Sequence, residues 1–278
     1  MRHRLQHPVA LAALAVVLAI AALYASGALA WAGGLIGDGA CRLAVGIGDV
    51  TGVDALRNYG CRMMGGLWVT LQLVAISVTL GVLLALVVAV ARLWGGPVLG
   101  GIATAYTTFF RGTPLLAQLF LVYYGAGQIR PFLTTIGVWP YFREAFFCAA
   151  FTFTLNTAAY QAEIFRGAIQ SVSRGQWEAA RALGLRPFAT FWKVILPQAA
   201  MVALRPLGNE LVIMVKSSAV ASLVTILDLM GSTRFAFARS FDLMVYVFAA
   251  ALYLVIVEII RRVWELAERR LTRHLHHA

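Results

Sequence analysis

The chain has 278 residues, of which 61% are hydrophobic and only 13% charged, with a formal net charge of +11. A water-soluble domain is roughly 45–50% apolar and about 25% charged, so the composition excludes an ordinary soluble fold. The positive excess does not point to nucleic acid either, because the basic residues sit beside apolar runs rather than on a soluble face.

Val9–Trp31 holds no charged residue over 23 positions, and Leu67–Ala91 none over 25. About 20 such residues cross the hydrocarbon core as a helix, the form that satisfies its own backbone in lipid. The alternating pattern of a membrane β-barrel is absent. The predicted fold class is therefore an all-α membrane protein with about six spans: 8–31, 67–92, 113–129, 144–168, 206–228 and 244–264. Basic Met1–His7 and Ala28-Leu29-Ala30 also fit a cleavable signal peptide, but the apolar stretch is longer than the usual 7–15 residues, so a retained helix is expected.

The next segment, Gly33–Arg62, reads as an outside loop. Its Cys41 and Cys61 either close a disulfide or remain two unpaired thiols. Cys148 falls in a span and reads as a packing residue. Val98–Phe110 reads as a helix near the inner interface, broken at Arg111-Gly112-Thr113-Pro114 because proline disfavours helix at the residue before it. Ile129–Arg143, with Pro131, Trp139, Pro140 and Tyr141, reads as an interfacial loop with aromatic anchors. With the N-terminus inside, fifteen Lys and Arg residues fall on inner segments and seven on outer ones, leaving Lys216 within a span. That asymmetry predicts both termini inside.

The longest inner connection runs over about 170–205. Gly175–Leu185 reads as a short helix stopped by Gly184, and Phe188–Leu196 as a second one ending at Pro197. Trp177, Leu183, Leu185 and Phe188 would make an apolar knob for a partner's groove, or an amphipathic hairpin resting on the membrane. Glu178-Ala179-Ala180, Gly184 and Val194-Ile195-Leu196-Pro197 resemble the EAA loop of ABC importer permeases, with Val194 where isoleucine is usual. Phe110–Leu116 with Gln118, Tyr123-Tyr124-Gly125, Asn156–Ile169, Pro206, Asn209 and Lys216-Ser217-Ser218 resemble the polar amino acid subfamily (histidine, glutamine, arginine, opine). Ser217 stands there in place of the commoner threonine.

The resemblance covers about Gly66–Arg270. It implies a five-helix permease domain over 63–278, with 1–62 as an added transmembrane helix and periplasmic loop. It also implies that Glu178, Ala179, Ala180, Gly184 and Leu185 dock on a separate ATP-binding subunit. The further partners implied are a second permease, identical or homologous, and a periplasmic solute-binding protein, all at a bacterial inner membrane.

Thr152, Asn156, Tyr160 and Glu163 stand at i, i+4, i+8 and i+11, and at about 100° per residue they share one helical face. Either they line a translocation path, with Glu163 attracting a cationic substrate group, or Glu163 pairs with Arg166 or Arg111 and Asn156 bonds across helices. Ionisable groups inside membranes require such a partner or an aqueous cavity. Glu210 and Lys216 read as structural pairing residues, Asp228 as solvated, and Glu258 as a surface partner of Arg261 and Arg262.

No phosphate loop, serine-hydrolase elbow or paired-histidine zinc motif occurs, and the five histidines lie in the tails. Expected are therefore no enzyme activity, no metal and no cofactor, with ATP bound by a partner subunit. An ion-gradient-driven secondary transporter of amino acids is the alternative.

Overall fold

A computed structural model describes residues 28–271, and every regular element among them is helical. The first predicted span, 8–31, lies almost wholly outside these residues. Helices α1 (Ala28–Thr51) and α2 (Asp54–Trp94) form a hairpin, so most of the expected Gly33–Arg62 loop is helix instead. Asp49, Asp54, Arg57 and Arg62 gave that stretch its loop-like polarity. The charges instead serve the hairpin: Arg57 Nε donates to Asp49 Oδ1 at 2.6 Å across the two helices. Asp54 sits in the first turn of α2, where the helix dipole favours a negative charge. A Cys41–Cys61 disulfide joins the same pair of helices.

Helix α3 (Gly96–Gly112) ends at the expected break, with Thr113 extended, and α4 (Leu115–Gln128) begins after Pro114. Two short helices, α5 (Arg130–Thr135) and α6 (Trp139–Phe142), occupy the connection read as a loop. There the Arg130 guanidinium lies 5.2 Å from the centre of the Trp139 ring. Then come α7 (Ala145–Ser171), α8 (Arg174–Ala182) and α9 (Pro187–Thr190). A π-helical turn, Phe191–Ile195, leads straight into α10 (Leu196–Ser217) and a 3-10 turn, Ser218–Val224. The expected helix end at Pro197 is thus corrected. Pro197 falls in the first turn of α10, and the widened turn before it shifts the register that a missing N–H would otherwise interrupt. The chain closes with α11 (Leu229–Ser240) and α12 (Met244–Leu271).

Among the described residues three helical runs are long and apolar enough to cross a membrane: Asp54–Trp94, Pro187–Val224 and Met244–Arg269. Helix α7 has 27 residues but carries the polar stripe, and α4 has only 14. At 1.5 Å per residue α4 spans about 21 Å, short of a hydrocarbon core of about 30 Å.

The main core lies between α2 and α7, where Leu73, Leu80, Leu84, Phe147 and Phe153 are all buried. A second core joins Leu56 and Met63 of α2 to Leu229 and Ala236 of α11 and Val245 of α12. Gly66 permits that approach: a Cβ there would stand 2.4 Å from Ser232 Oγ and 2.5 Å from the Asp228 carbonyl oxygen. Asp228, expected in solvent, is fully buried instead. Its Oδ1 accepts from Gly231 N at 2.8 Å, satisfying one of the free N–H groups that open α11.

Candidate functional site

The break between α3 and α4 leaves backbone groups that the helices themselves do not satisfy. Two side chains receive them. Gln118 Nε2 donates to the Phe110 carbonyl at 2.9 Å and to Thr113 Oγ1 at 2.8 Å. Asn156 Nδ2, from α7, donates to the same Phe110 carbonyl at 3.1 Å and to Gln118 Oε1 at 3.0 Å. The Tyr160 hydroxyl, one turn on, donates to the Arg111 carbonyl at 3.4 Å.

Beside this joint lies a cavity of about 530 Å³ walled by the α3–α4 break, α7 and α10. Asn156 and Tyr160 line it from α7, Thr113 from the break, and Asn209, Glu210 and Ser217 from α10. Glu210 is the only acidic residue in that wall, and it is 7% exposed. Its Oε1 accepts from Thr157 Oγ1 at 3.0 Å. The other two members of the predicted stripe are elsewhere. Thr152 is fully buried and donates to the Cys148 carbonyl at 2.7 Å, a bond within its own helix.

Glu163 turns away from the cavity into a cluster of guanidinium groups. It is ion-paired with Arg92 of α2, with Arg166 at 2.9 Å and with Arg111 at 3.7 Å. Arg166 and Arg111 were the expected partners. Arg92 was not, because nothing in the spacing of one helix reveals a partner 71 positions earlier. Arg92 also donates to Thr107 Oγ1 at 3.0 Å, so the cluster ties the ends of α2 and α3 to α7. Arg111 is the exposed member. Its side chain is 44% exposed, against 18% for Arg92 and 28% for Arg166, and its guanidinium lies 5.5 Å from the centre of the Tyr160 ring.

Sequence reasoning also passed over Glu210 as a cavity residue. The signal was present: Pro206, Glu210, Ile213 and Ser217 recur at helical spacing and all line this wall. Lys216, on the adjacent face, is exposed and borders a separate cavity of about 480 Å³ with Tyr246 and Tyr253. It makes no ion pair among the described residues. Glu258 pairs with Arg261 at 2.9 Å and Arg262 at 2.6 Å.

The connecting hairpin presents a second surface. Gly184 has φ +72°, a conformation open to glycine, and the Leu185 N–H closes on the Ala180 carbonyl at 3.1 Å while the Gly184 N–H closes on the Arg181 carbonyl at 2.9 Å. This pair of bonds is the Schellman C-cap, which consumes carbonyls the helix leaves free. Ala180 is buried, and Trp177 packs inward on the small core that contains Ala168, Val172 and Ile195, so the predicted apolar knob is split. Leu183 at 80% exposure and Phe188 at 74% face outward, beside exposed Glu178, Ala179 and Gly184, with Leu185 half-buried.

Residues 77–273 match the family described as the binding-protein-dependent transport system inner membrane component. The nopaline transport system permease protein of Agrobacterium fabrum is 40% identical over 215 residues, which are 77% of this chain and 89% of that protein. The arginine ABC transporter permease protein of Escherichia coli strain K12 is 36% identical over 174 residues, 63% of this chain and 78% of its own. Among solved structures, an amino acid ABC transporter crystallised with histidines superposes with a TM-score of 0.69 at 34% identity, covering 77% of this chain and 96% of that one. A methionine ABC transporter in an inward-facing conformation shares the fold, with a TM-score of 0.62 at 22% identity over 76% of this chain and 96% of its own.

Proposed function

We infer that this chain, which belongs to the binding-protein-dependent transport system inner membrane components, is the permease of an ABC importer for polar amino acids and forms one wall of its path. The observation that carries this reading is the cavity between helices in which Asn156, Tyr160, Asn209 and Glu210 interrupt largely apolar walls. Intramembrane polar and ionisable groups that face a cavity mark substrate pathways. The volume of about 530 Å³ lies in the range of small-molecule sites. Glu210 is the residue placed to receive a cationic end, which agrees with relatives named for arginine and nopaline.

ATP is bound and hydrolysed by a partner subunit in this scheme, and the exposed face of the α8–α9 hairpin is its docking surface. A second permease, the same chain or a homologue, closes the path from the other side. A periplasmic binding protein delivers the solute, and hairpin movement switches the helix packing between inward- and outward-facing arrangements. ATP hydrolysis by the chain co-purified with its ATP-binding subunit in nanodiscs is expected to rise several-fold when amino-acid-loaded binding protein is added. Gradient-driven uptake by the chain alone, with no ATP-binding subunit retained, would establish the secondary-transporter alternative instead.

Two features support an orientation with the hairpin tip of α1 and α2 outside. Basic residues accumulate on the opposite side, and a Cys41–Cys61 disulfide belongs in an oxidising compartment. Val50, 89% exposed near that tip, is the reporter position. A Val50→Cys variant is expected to react with a membrane-impermeant maleimide in intact spheroplasts, and an Arg186→Cys variant only after permeabilisation. The reverse labelling pattern would invert the topology.

A further inference from the structure

Glu163 is held by three guanidinium groups, so the cluster it anchors carries an excess of two positive charges. That excess has no other acid in the wall of the neighbouring cavity except Glu210, which stands on a different helix. Arg92 and Arg166 are largely enclosed and spend their donors on Glu163, Thr107 and Gln170. Arg111 differs on both counts. Its contact with Glu163 is the loosest of the three, and close to half of its side chain is open. It also lies against the ring of Tyr160, which lines the cavity, and two residues before Thr113, which lines it too.

We propose that Arg111 reads the carboxylate of the transported amino acid, opposite a cationic end held at Glu210, so that the chamber recognises its cargo at both poles. This rests on the cavity being the path, as inferred above. Glu163 is then a positioning residue: it holds Arg111 against Tyr160, just behind the cavity wall, and leaves the guanidinium's outer donors available to reach past that ring. A planar guanidinium suits this task because it meets a carboxylate with two parallel N–H groups, while a lysine ammonium meets it as a point charge.

The test is equilibrium binding of L-arginine and of agmatine, which is arginine without its carboxylate. It uses the full transporter assembled around this chain in nanodiscs, with no binding protein present. The wild type is expected to bind arginine about tenfold or more tightly than agmatine, the scale set by a charge-assisted hydrogen bond shielded from water. Arg111→Gln brings arginine down to the affinity of agmatine and leaves agmatine unchanged. Glu210→Gln weakens both compounds alike and preserves their ratio. Arg111→Lys, which keeps the charge facing Glu163, restores part of the preference and separates recognition from folding. A preference that survives in Arg111→Gln overturns the proposal. Equal binding of both compounds by the wild type overturns it as well and leaves the path in place. Binding of neither removes the path and the proposal together.

Discussion

Replacing Gly184 with tryptophan is expected to cut ATP-driven uptake at least tenfold while the chain still inserts and accumulates in the membrane. The residue closes α8 at φ +72°, a region that costs L-residues roughly 1–2 kcal/mol, and tryptophan sets a large side chain on the exposed face of the hairpin. Relaxing that strain breaks the bond from Leu185 N–H to the Ala180 carbonyl and re-aims Leu183 and Phe188, the exposed apolar residues of the hairpin. None of the deep cores depends on Gly184, whose surroundings are open, so the fold survives. Glu178→Ala isolates the docking face more cleanly, because Glu178 is exposed and its removal leaves the hairpin intact. Its expected loss is smaller, on the order of the 1.5–3 kcal/mol of one charged hydrogen bond to a partner. Uptake of labelled amino acid into vesicles, normalised to permease in the membrane, reads both. Wild-type uptake in the two variants would remove the hairpin from the coupling path.

Glu163→Gln is the other large effect, and it is expected in stability before transport. The substitution leaves Arg92, Arg111 and Arg166 facing one another without a counter-charge, at side-chain exposures of 18%, 44% and 28%. Removing one partner of a buried ion pair costs about 3–5 kcal/mol, and the half-open Arg111 pulls this toward the lower figure. For a chain of this size that corresponds to a fall of the unfolding midpoint on the order of 10 °C. Thermal unfolding followed by tryptophan fluorescence in nanodiscs measures it, and Glu163→Asp should recover part of the loss. A variant with unchanged midpoint but weakened binding of a cationic amino acid would return Glu163 to the role of cargo attractor.

The sequence carried the parts of this fold that are local. Gly184 as a stop, Arg111-Gly112-Thr113-Pro114 as a break and Leu67–Ala91 as a helix follow from backbone chemistry and from runs without charge, and each is where it was read. What failed to show depends on partners far away in the chain. Arg57 and Asp49 suggested water, yet they bond to one another between two helices. Asp228 suggested the outer surface, yet it caps α11 inside the fold. Pro197 suggested a helix end, and only the geometry of a π-turn could say otherwise. The site divides along the same line. The face shared by Asn156 and Tyr160 is visible from helical spacing, whereas Glu163 stands on that face by angle and leaves the cavity because Arg92 draws it aside.

The 41-residue length of α2 has a mechanical meaning. At 1.5 Å per residue it is a rod of about 60 Å, longer than a bilayer of about 40–45 Å with its headgroups, so it must lean or protrude. Its far end is doubly clamped, covalently to α1 through Cys41–Cys61 and sterically to α11 at Gly66. The hairpin therefore amplifies: a lean of about 10° at the Trp94 end carries the tip sideways by about 10 Å over such a rod. A pair of spin labels at position 50 of a transporter holding two copies, or one label paired with a fixed site on the other permease, would turn the transport cycle into a change of distance large enough to read directly.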